Sequence, residues 1–178
     1  MASSVSFRAP GEGSCLRLGP GEYLTDKATG EETDGGYTLY EVVSAAGSGV
    51  PLHEHPWAES FYVLEGEYEL RYVDENDEEQ TVAGKPGAWV HVPAGHLHAF
   101  RNANSGFSKM LSINQPVGLE PILRKAGLPC PGPGEEVEKE PLPMEEFSAI
   151  FREGGIRIDQ ERLAASEGVG AWKKSSED

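Results

Sequence analysis

The feature that most constrains the fold of this chain is a series of short strand-like runs, each ended by a turn signal. Within 68–73, apolar and charged residues alternate, which is the period of a strand with one buried and one solvated face. Similar runs occupy 37–43, 60–64, 88–92, 98–101 and 109–113. The 22 glycines and 13 prolines supply turns between them. Short strands at this spacing predict an all-β sandwich or barrel.

The pattern changes after Pro116. A short helix is predicted over 119–127, and a second, over 144–152, carries an apolar stripe that ends before Gly154. This stripe is typical of core or interface packing. We therefore divide the chain into an N-terminal arm with strands (1–36), a barrel (37–115) and a C-terminal helical extension with a tail (116–178).

The charge of the chain limits its partners. The formal net charge is −15, so the phosphates of nucleic acids and anionic membrane surfaces would repel it. No stretch approaches the roughly 20 apolar residues of a membrane span, and the first ten residues lack the apolar core of a signal peptide. We expect a cytoplasmic protein that binds neither nucleic acid nor membrane.

The two cysteines, Cys15 and Cys130, are far apart in the chain and form no CxxC motif. In a reducing compartment, free thiols are the expected state. The sequence assigns them no role.

All five histidines lie between positions 53 and 98. His53 and His55 are two residues apart, so on an extended strand both side chains leave the same face. Glu59 follows at an even offset and shares that face if the strand continues past Pro56. Two imidazoles and one carboxylate on one side of a sheet suit a first-row divalent metal. His98 is the leading candidate for a fourth ligand from a neighbouring strand.

Two sequence blocks carry a resemblance to a known family. The segment 47–66, GSGVPLHEHPWAESFYVLEG, matches the first cupin motif, and 87–102, GAWVHVPAGHLHAFRN, matches the second, at ten fixed positions in all. The chain thus resembles single-domain bacterial cupins, and more weakly those grouped with quercetin 2,3-dioxygenase. The resemblance implies a double-stranded β-helix, or jelly-roll barrel, with short C-terminal helices.

The resemblance also implies a metal site. Cupins of this kind bind one divalent transition metal (Fe, Mn, Ni, Co, Cu or Zn) through the positions matching His53, His55, Glu59 and His98. Such a site keeps one or two positions open for water, substrate or dioxygen. In quercetinase-like members, the glutamate matching Glu59 is also the catalytic proton acceptor.

Further residues are candidates for the substrate pocket. Strand alternation directs the side chains of Phe61, Val63 and Phe100 to the same inner face as those of the candidate ligands. Such residues also serve simply to fill the interior of a barrel. Trp57 lies in the loop between ligands and either guards the mouth or packs inside. His91 either faces the pocket from the strand over 88–92 or is a structural or surface histidine.

Three functions are compatible with the sequence. The first is a metal-dependent dioxygenase-like enzyme acting on a small enolisable or phenolic organic substrate. The second is a metal-dependent isomerase, epimerase or lyase that needs no oxygen, and the third is a non-catalytic cupin that binds a small molecule. Cupins commonly pair through N-terminal strands, so a homodimer is expected by analogy with the fold.

Overall fold

The computed structural model describes residues 5–135, 137 and 139–165. Within these residues, the chain is built of short strands with three short helices near the C-terminal end. The strands are β1 (Cys15–Gly19), β2 (Glu22–Ala28), β3 (Thr38–Ser44), β4 (Gly49–Glu54), β5 (Ala58–Glu65), β6 (Tyr68–Val73), β7 (Glu79–Gly84), β8 (Trp89–Val92), β9 (His98–Asn102), β10 (Ser108–Gln115), β11 (Leu128–Cys130) and β12 (Arg157–Ile158). The helices are α1 (Glu120–Ala126), α2 (Met144–Glu153) and α3 (Gln160–Ala165).

The strands form two antiparallel sheets. The larger has the order β11-β1-β2-β3-β10-β5-β8, and the smaller has the order β12-β4-β9-β6-β7. Strands that are adjacent in the chain often change sheet, as β4 and β5 do, and this crossing is characteristic of a jelly roll. The predicted all-β architecture with short C-terminal helices is confirmed.

The core lies between the two sheets. It takes Phe61, Val63 and Met110 from the larger sheet and Tyr68 and Phe100 from the smaller one. On β10, the residues at even positions from Ser108 to Asn114 are all buried, whereas those between them are half-buried. This period of two is the pattern of a strand with its inner face in a barrel.

The helices α1 and α2 lie close to where the sequence predicts them. α1 ends where the Gly127 amide donates to the carbonyl oxygen of Leu123, and α2 carries acidic residues in its first turn. α3 was not predicted. None of the described helices is long and apolar enough to cross a membrane. Of the predicted C-terminal tail, residues 166–178 lie outside the described residues.

One step of the sequence reasoning is wrong in its geometry. The segment from His53 to Glu59 is not one extended strand with a shared face, because β4 ends at Glu54 and β5 begins at Ala58 in the opposite sheet. Pro56 lies in the corner between them. The candidate ligands on the two sides of this corner therefore face each other across the barrel.

The two cysteines are neighbours in space. Cys15 on β1 pairs directly with Cys130 on β11, and their Sγ atoms lie 2.6 Å apart as free thiols. Burial, together with the thiol of Cys15, raises the pKa of Cys130 to about 12. The Cys130 thiol is therefore protonated at neutral pH.

Candidate metal centre

Four side chains converge inside the barrel: His53, His55, Glu59 and His98. One ligand atom from each lies within 4.8 Å of the others. His53 and His98 are directly paired on β4 and β9 of the smaller sheet, whereas Glu59 comes from β5 of the larger one. His55, Glu59 and His98 are buried, with 6% or less of their surface exposed. The structure thus brings together the four residues singled out from the sequence.

Backbone carbonyls orient all three imidazoles in the same way. Nδ1 of His53 lies 2.9 Å from the carbonyl oxygen of Pro51, and Nδ1 of His55 lies 2.9 Å from that of Trp57. Nδ1 of His98 lies 2.9 Å from the carbonyl oxygen of His96. Because a carbonyl only accepts, each Nδ1 carries the proton. With the proton on Nδ1, it is Nε2 of each ring that can present a lone pair to a metal.

The charge state of the cluster suits a cation. Burial, followed by the neighbouring His98, lowers the pKa of His53 to about 3, so this imidazole is neutral at physiological pH. Burial alone would raise the pKa of Glu59, but the hydrogen bonds that His55 and His98 donate when their Nε2 atoms carry a proton outweigh it and lower that pKa below its usual range. The cluster is thus an ionised carboxylate beside a neutral His53.

The geometry between these atoms provides a test of whether a metal fits. Oε2 of Glu59 lies 3.1 Å from Nε2 of His55 and 3.3 Å from Nε2 of His98. When both rings carry their proton on Nδ1, these contacts bring lone pairs together, which is unfavourable without a proton or a cation between them. Ligand atoms with bonds of about 2.1 Å to one ion are about 3.0 Å apart when adjacent and about 4.2 Å apart when opposite. The two contacts of Glu59 are close to the spacing of adjacent ligands, and the four atoms, all within 4.8 Å of one another, can bind one ion after a small inward shift.

A buried hydrogen-bond chain holds Glu59 from the other side. Trp57 Nε1 donates to Asn114 Oδ1 (2.9 Å), Asn114 Nδ2 donates to Ser112 Oγ (2.9 Å), and Ser112 Oγ donates to Glu59 Oε1 (2.6 Å). The ring of Trp57 also stacks on His55, with centroids 4.4 Å apart and planes at 8°. Glu59 is thereby left with Oε2 directed at the histidines.

Sequence reasoning did not find Ser112 and Asn114. The alternation on β10 could have indicated them, because these two polar residues lie on the same inner face of the strand as buried Met110. A buried polar side chain needs a partner. That partner is identifiable only once β10 is known to pair with β5, which places Asn114 opposite Glu59.

A turn connects the two motif segments. In the turn after β8, the Gly95 amide donates to the carbonyl oxygen of His55 (2.8 Å), and Gly95 has a φ of +77°. A side chain would strain this conformation. The turn thus links the loop of His55 to the segment that leads into His98.

A cavity of about 300 Å³ opens next to the cluster. His53, His55 and Glu59 contribute to its wall, together with Trp57, Phe61 and Phe100. The helix α2 lines it with Met144, Phe147, Ser148 and Phe151, so the stripe predicted for core or interface packing faces the cavity. Most of the wall is apolar.

The predicted pocket residues separate into two groups. Trp57, Phe61 and Phe100 line the cavity, and Trp57 packs inside at 4% exposure rather than guarding the mouth. Val63 is fully buried in the core and does not line it. His91 pairs with Ser60, whereas inward Glu59 pairs with Val92, so His91 lies exposed on the outer face. Of the two alternatives for His91, the structure agrees with the surface histidine and not with the pocket.

Comparison with known proteins agrees with this architecture. Residues 40–114 match the cupin domain family. The chain is similar to quercetin 2,3-dioxygenase of Bacillus subtilis (strain 168), with 32% identity over 106 residues. The match covers 59% of this chain and 30% of that enzyme.

Solved structures show the same fold at lower identity. Oxalate decarboxylase from Bacillus subtilis matches with a TM-score of 0.56 and 21% identity, covering 65% of this chain and 30% of that one. This chain therefore spans less than a third of the dioxygenase and of the decarboxylase.

Proposed function

We propose that this protein is a metal-dependent oxygenase of the dioxygenase type that acts on a small enolisable or phenolic organic substrate. The observation that carries the proposal is the opening of a cluster of three histidines and one glutamate onto a mostly apolar cavity of about 300 Å³. A substrate of this class needs one oxygen function at the metal and apolar walls around its carbon skeleton. The similarity to a quercetin 2,3-dioxygenase supports this class.

The electrostatics of the cavity favour a neutral substrate. Among the described residues that line it, there is no lysine or arginine, whereas two glutamates are present. Phosphate and dicarboxylate groups are usually bound by such basic side chains. Sugar phosphates and small dianions are therefore disfavoured.

The metal and the residues around it would have separate roles in the reaction. When bound, a divalent transition metal supplies Lewis-acid activation of a substrate hydroxyl and redox access to dioxygen. Glu59 accepts the proton of that hydroxyl at Oε2, while Ser112 keeps Oε1 in place. Phe61 and Phe100, which pack edge to face with centroids 5.5 Å apart, exclude water from the carbon skeleton.

Oxygen consumption tests the proposal directly. Protein loaded separately with Fe, Mn, Ni, Co, Cu and Zn is offered a panel of flavonols and 1,3-diketones in an oxygen electrode. We expect uptake that depends on both metal and substrate, and none from a His98→Ala variant. A lack of uptake with every metal would reject the oxygenase.

The same panel under argon separates the alternatives. Turnover without oxygen would indicate a metal-dependent isomerase, epimerase or lyase using the same cluster. Tight binding without any conversion would indicate a non-catalytic small-molecule-binding cupin. Product analysis by mass spectrometry distinguishes these outcomes.

The homodimer also remains a prediction. The side chains of Val5 and Phe7, in the N-terminal arm, are 99% and 85% exposed, so this arm offers apolar surface to a second copy. Sedimentation equilibrium should give twice the chain mass of 19.2 kDa. A mass of one chain would reject the dimer.

A further inference from the structure

A second carboxyl group lines the cavity away from the metal cluster. Glu22, at the start of β2, is only 6% exposed and contributes to the cavity wall. Its Oε2 accepts a hydrogen bond from Ser44 Oγ (2.9 Å), whereas its buried Oε1 has no partner among the described residues. Buried carboxyl oxygens are rarely left unpaired, so a group that satisfies Oε1 is expected to enter from the cavity.

Each hydrogen bond in the chain from Tyr68 through Ser44 to Glu22 is donated toward the carboxyl group. Tyr68 donates its phenolic proton to Ser44 Oγ (3.2 Å), and Ser44 donates its own proton to Glu22 Oε2. Burial raises the pKa of Glu22 to about 8, although the bond from Ser44 opposes the change. At neutral pH, Glu22 is therefore mostly a neutral acid whose proton resides on Oε1, because Oε2 already accepts. Such a group can donate a hydrogen bond to an oxygen atom in the cavity.

The pairing of the strands places Glu22 at a distance from the cluster. Ser44, its partner, lies opposite Ser108 on β10, and Ser112 on the same strand contacts Glu59. Four residues of extended strand separate these two positions, which is about 13 Å. The wall between them includes Leu24, Val42, Phe61 and Phe100, all apolar. The cavity thus has two polar ends and an apolar middle.

We propose that Glu22 is a second polar anchor of this cavity, which hydrogen-bonds through Oε1 to a hydroxyl or carbonyl group at the end of the substrate remote from the metal cluster. The inference rests on the proposed function for the metal-bound end of the substrate. It deepens that function by defining the substrate as an elongated, mostly apolar molecule with oxygen functions at both ends. Glu22 then determines specificity and takes no part in the chemical step.

Two flavonols provide a matched pair of probes. Quercetin and galangin differ only in the two hydroxyl groups of the pendant phenyl ring. Their dissociation constants are measured under argon with the metal-loaded protein, by quenching of tryptophan fluorescence, so that turnover does not consume the ligand. A donated hydrogen bond to a buried acid should make quercetin bind about tenfold more tightly than galangin.

Variants at position 22 connect this preference to Glu22. Glu22→Gln keeps a donor and an acceptor and should retain most of the preference. Glu22→Met has a similar shape but no polar group, so the ratio should fall to about one while galangin binding changes by less than about twofold. Glu65→Met, at a carboxyl whose side chain is 70% exposed, is the control and should leave the ratio unchanged. Circular dichroism verifies that each variant is folded.

The outcomes separate this inference from the proposed function. A quercetin preference that persists in Glu22→Met overturns the anchor, as does the absence of binding by either flavonol. Oxygen uptake together with a persisting preference would retain the oxygenase and reject the anchor. A preference that depends on Glu22 without any oxygen uptake would retain the anchor and reject the oxygenase.

Discussion

Ser112 Oγ donates a 2.6 Å hydrogen bond to Oε1 of Glu59, although the two residues are 53 positions apart in the chain. Both are almost fully buried, on the adjacent strands β10 and β5. This bond occupies one oxygen of the carboxylate and leaves the other for the cluster of histidines. Ser112 is therefore a positioning residue for the proposed metal centre.

The variant Ser112→Ala should weaken metal binding. Loss of the hydroxyl leaves Oε1 of Glu59 and Nδ2 of Asn114 without their partner, so the carboxylate is less well oriented. Loss of such an outer hydrogen bond typically costs about 10- to 100-fold in metal affinity. Competition with a metal chelator measures the change. Ser60→Ala, on the outward side of β5, is the control, and equal affinity in the two variants would contradict the role of Ser112.

The variant His98→Ala should lose its metal. The substitution removes one of four ligands and the ring that lies 3.3 Å from Glu59, so the remaining groups are poorly placed. His96→Ala is the matched control, because His96 is exposed and its main-chain carbonyl, which orients His98, is retained. Metal content after gel filtration provides the measurement. Equal metal content in the wild type and both variants would refute the centre.

The acid at Glu22 predicts a pH dependence of stability. Its pKa is about 8 in the folded protein and close to the ordinary value of about 4.5 in the unfolded chain. Between these values, the folded protein holds a proton that the unfolded chain releases, so stability falls as pH rises from about 5 to about 8. The full loss is on the order of a few kcal/mol.

Glu22→Gln lacks this titration and serves as the reference. Urea unfolding of both proteins at pH 5, 6.5 and 8 gives the difference in the free energy of unfolding. Ionisation of groups common to both proteins, including the histidines, cancels in this difference. The wild type should lose stability relative to Glu22→Gln as pH rises, and a constant difference would contradict the burial of Glu22 as a neutral acid.

The cysteine pair predicts a disulfide under oxidising conditions. Exchange with oxidised glutathione would join Cys15 to Cys130, with loss of one proton from each thiol and reduction of the glutathione disulfide. The reaction should be slow at neutral pH, because the pKa of Cys130 is raised. Closing a loop of 115 residues should stabilise the fold by up to about 4–5 kcal/mol. Thermal unfolding with and without reductant measures this, and Cys130→Ser should show no difference.

Six of the short strands (β3, β5, β6, β8, β9 and β10), the helices α1 and α2, and the identity of the four clustered side chains could be predicted from the sequence. Alternation and turn residues act over a few positions, so they are visible without knowledge of the fold. The motif of His53, His55 and Glu59 with His98 is also a matter of spacing along the chain. Parity correctly placed Phe61 and Phe100 on the inner face, but it could not show that Val63 lies beyond the reach of the cavity.

The tertiary structure decided which groups meet. The sequence does not show that the chain changes sheet at Pro56, so that Glu59 approaches His53 and His55 from the opposite side of the barrel. Nor does it show that Ser112 meets Glu59, or that Glu22 shares a cavity with the cluster. These contacts depend on the register between strands distant in the chain, which is determined by how both sheets bury their apolar faces together. Local sequence patterns determine which side chains lie on each face of a strand. The packing of the two sheets determines which residues those side chains contact.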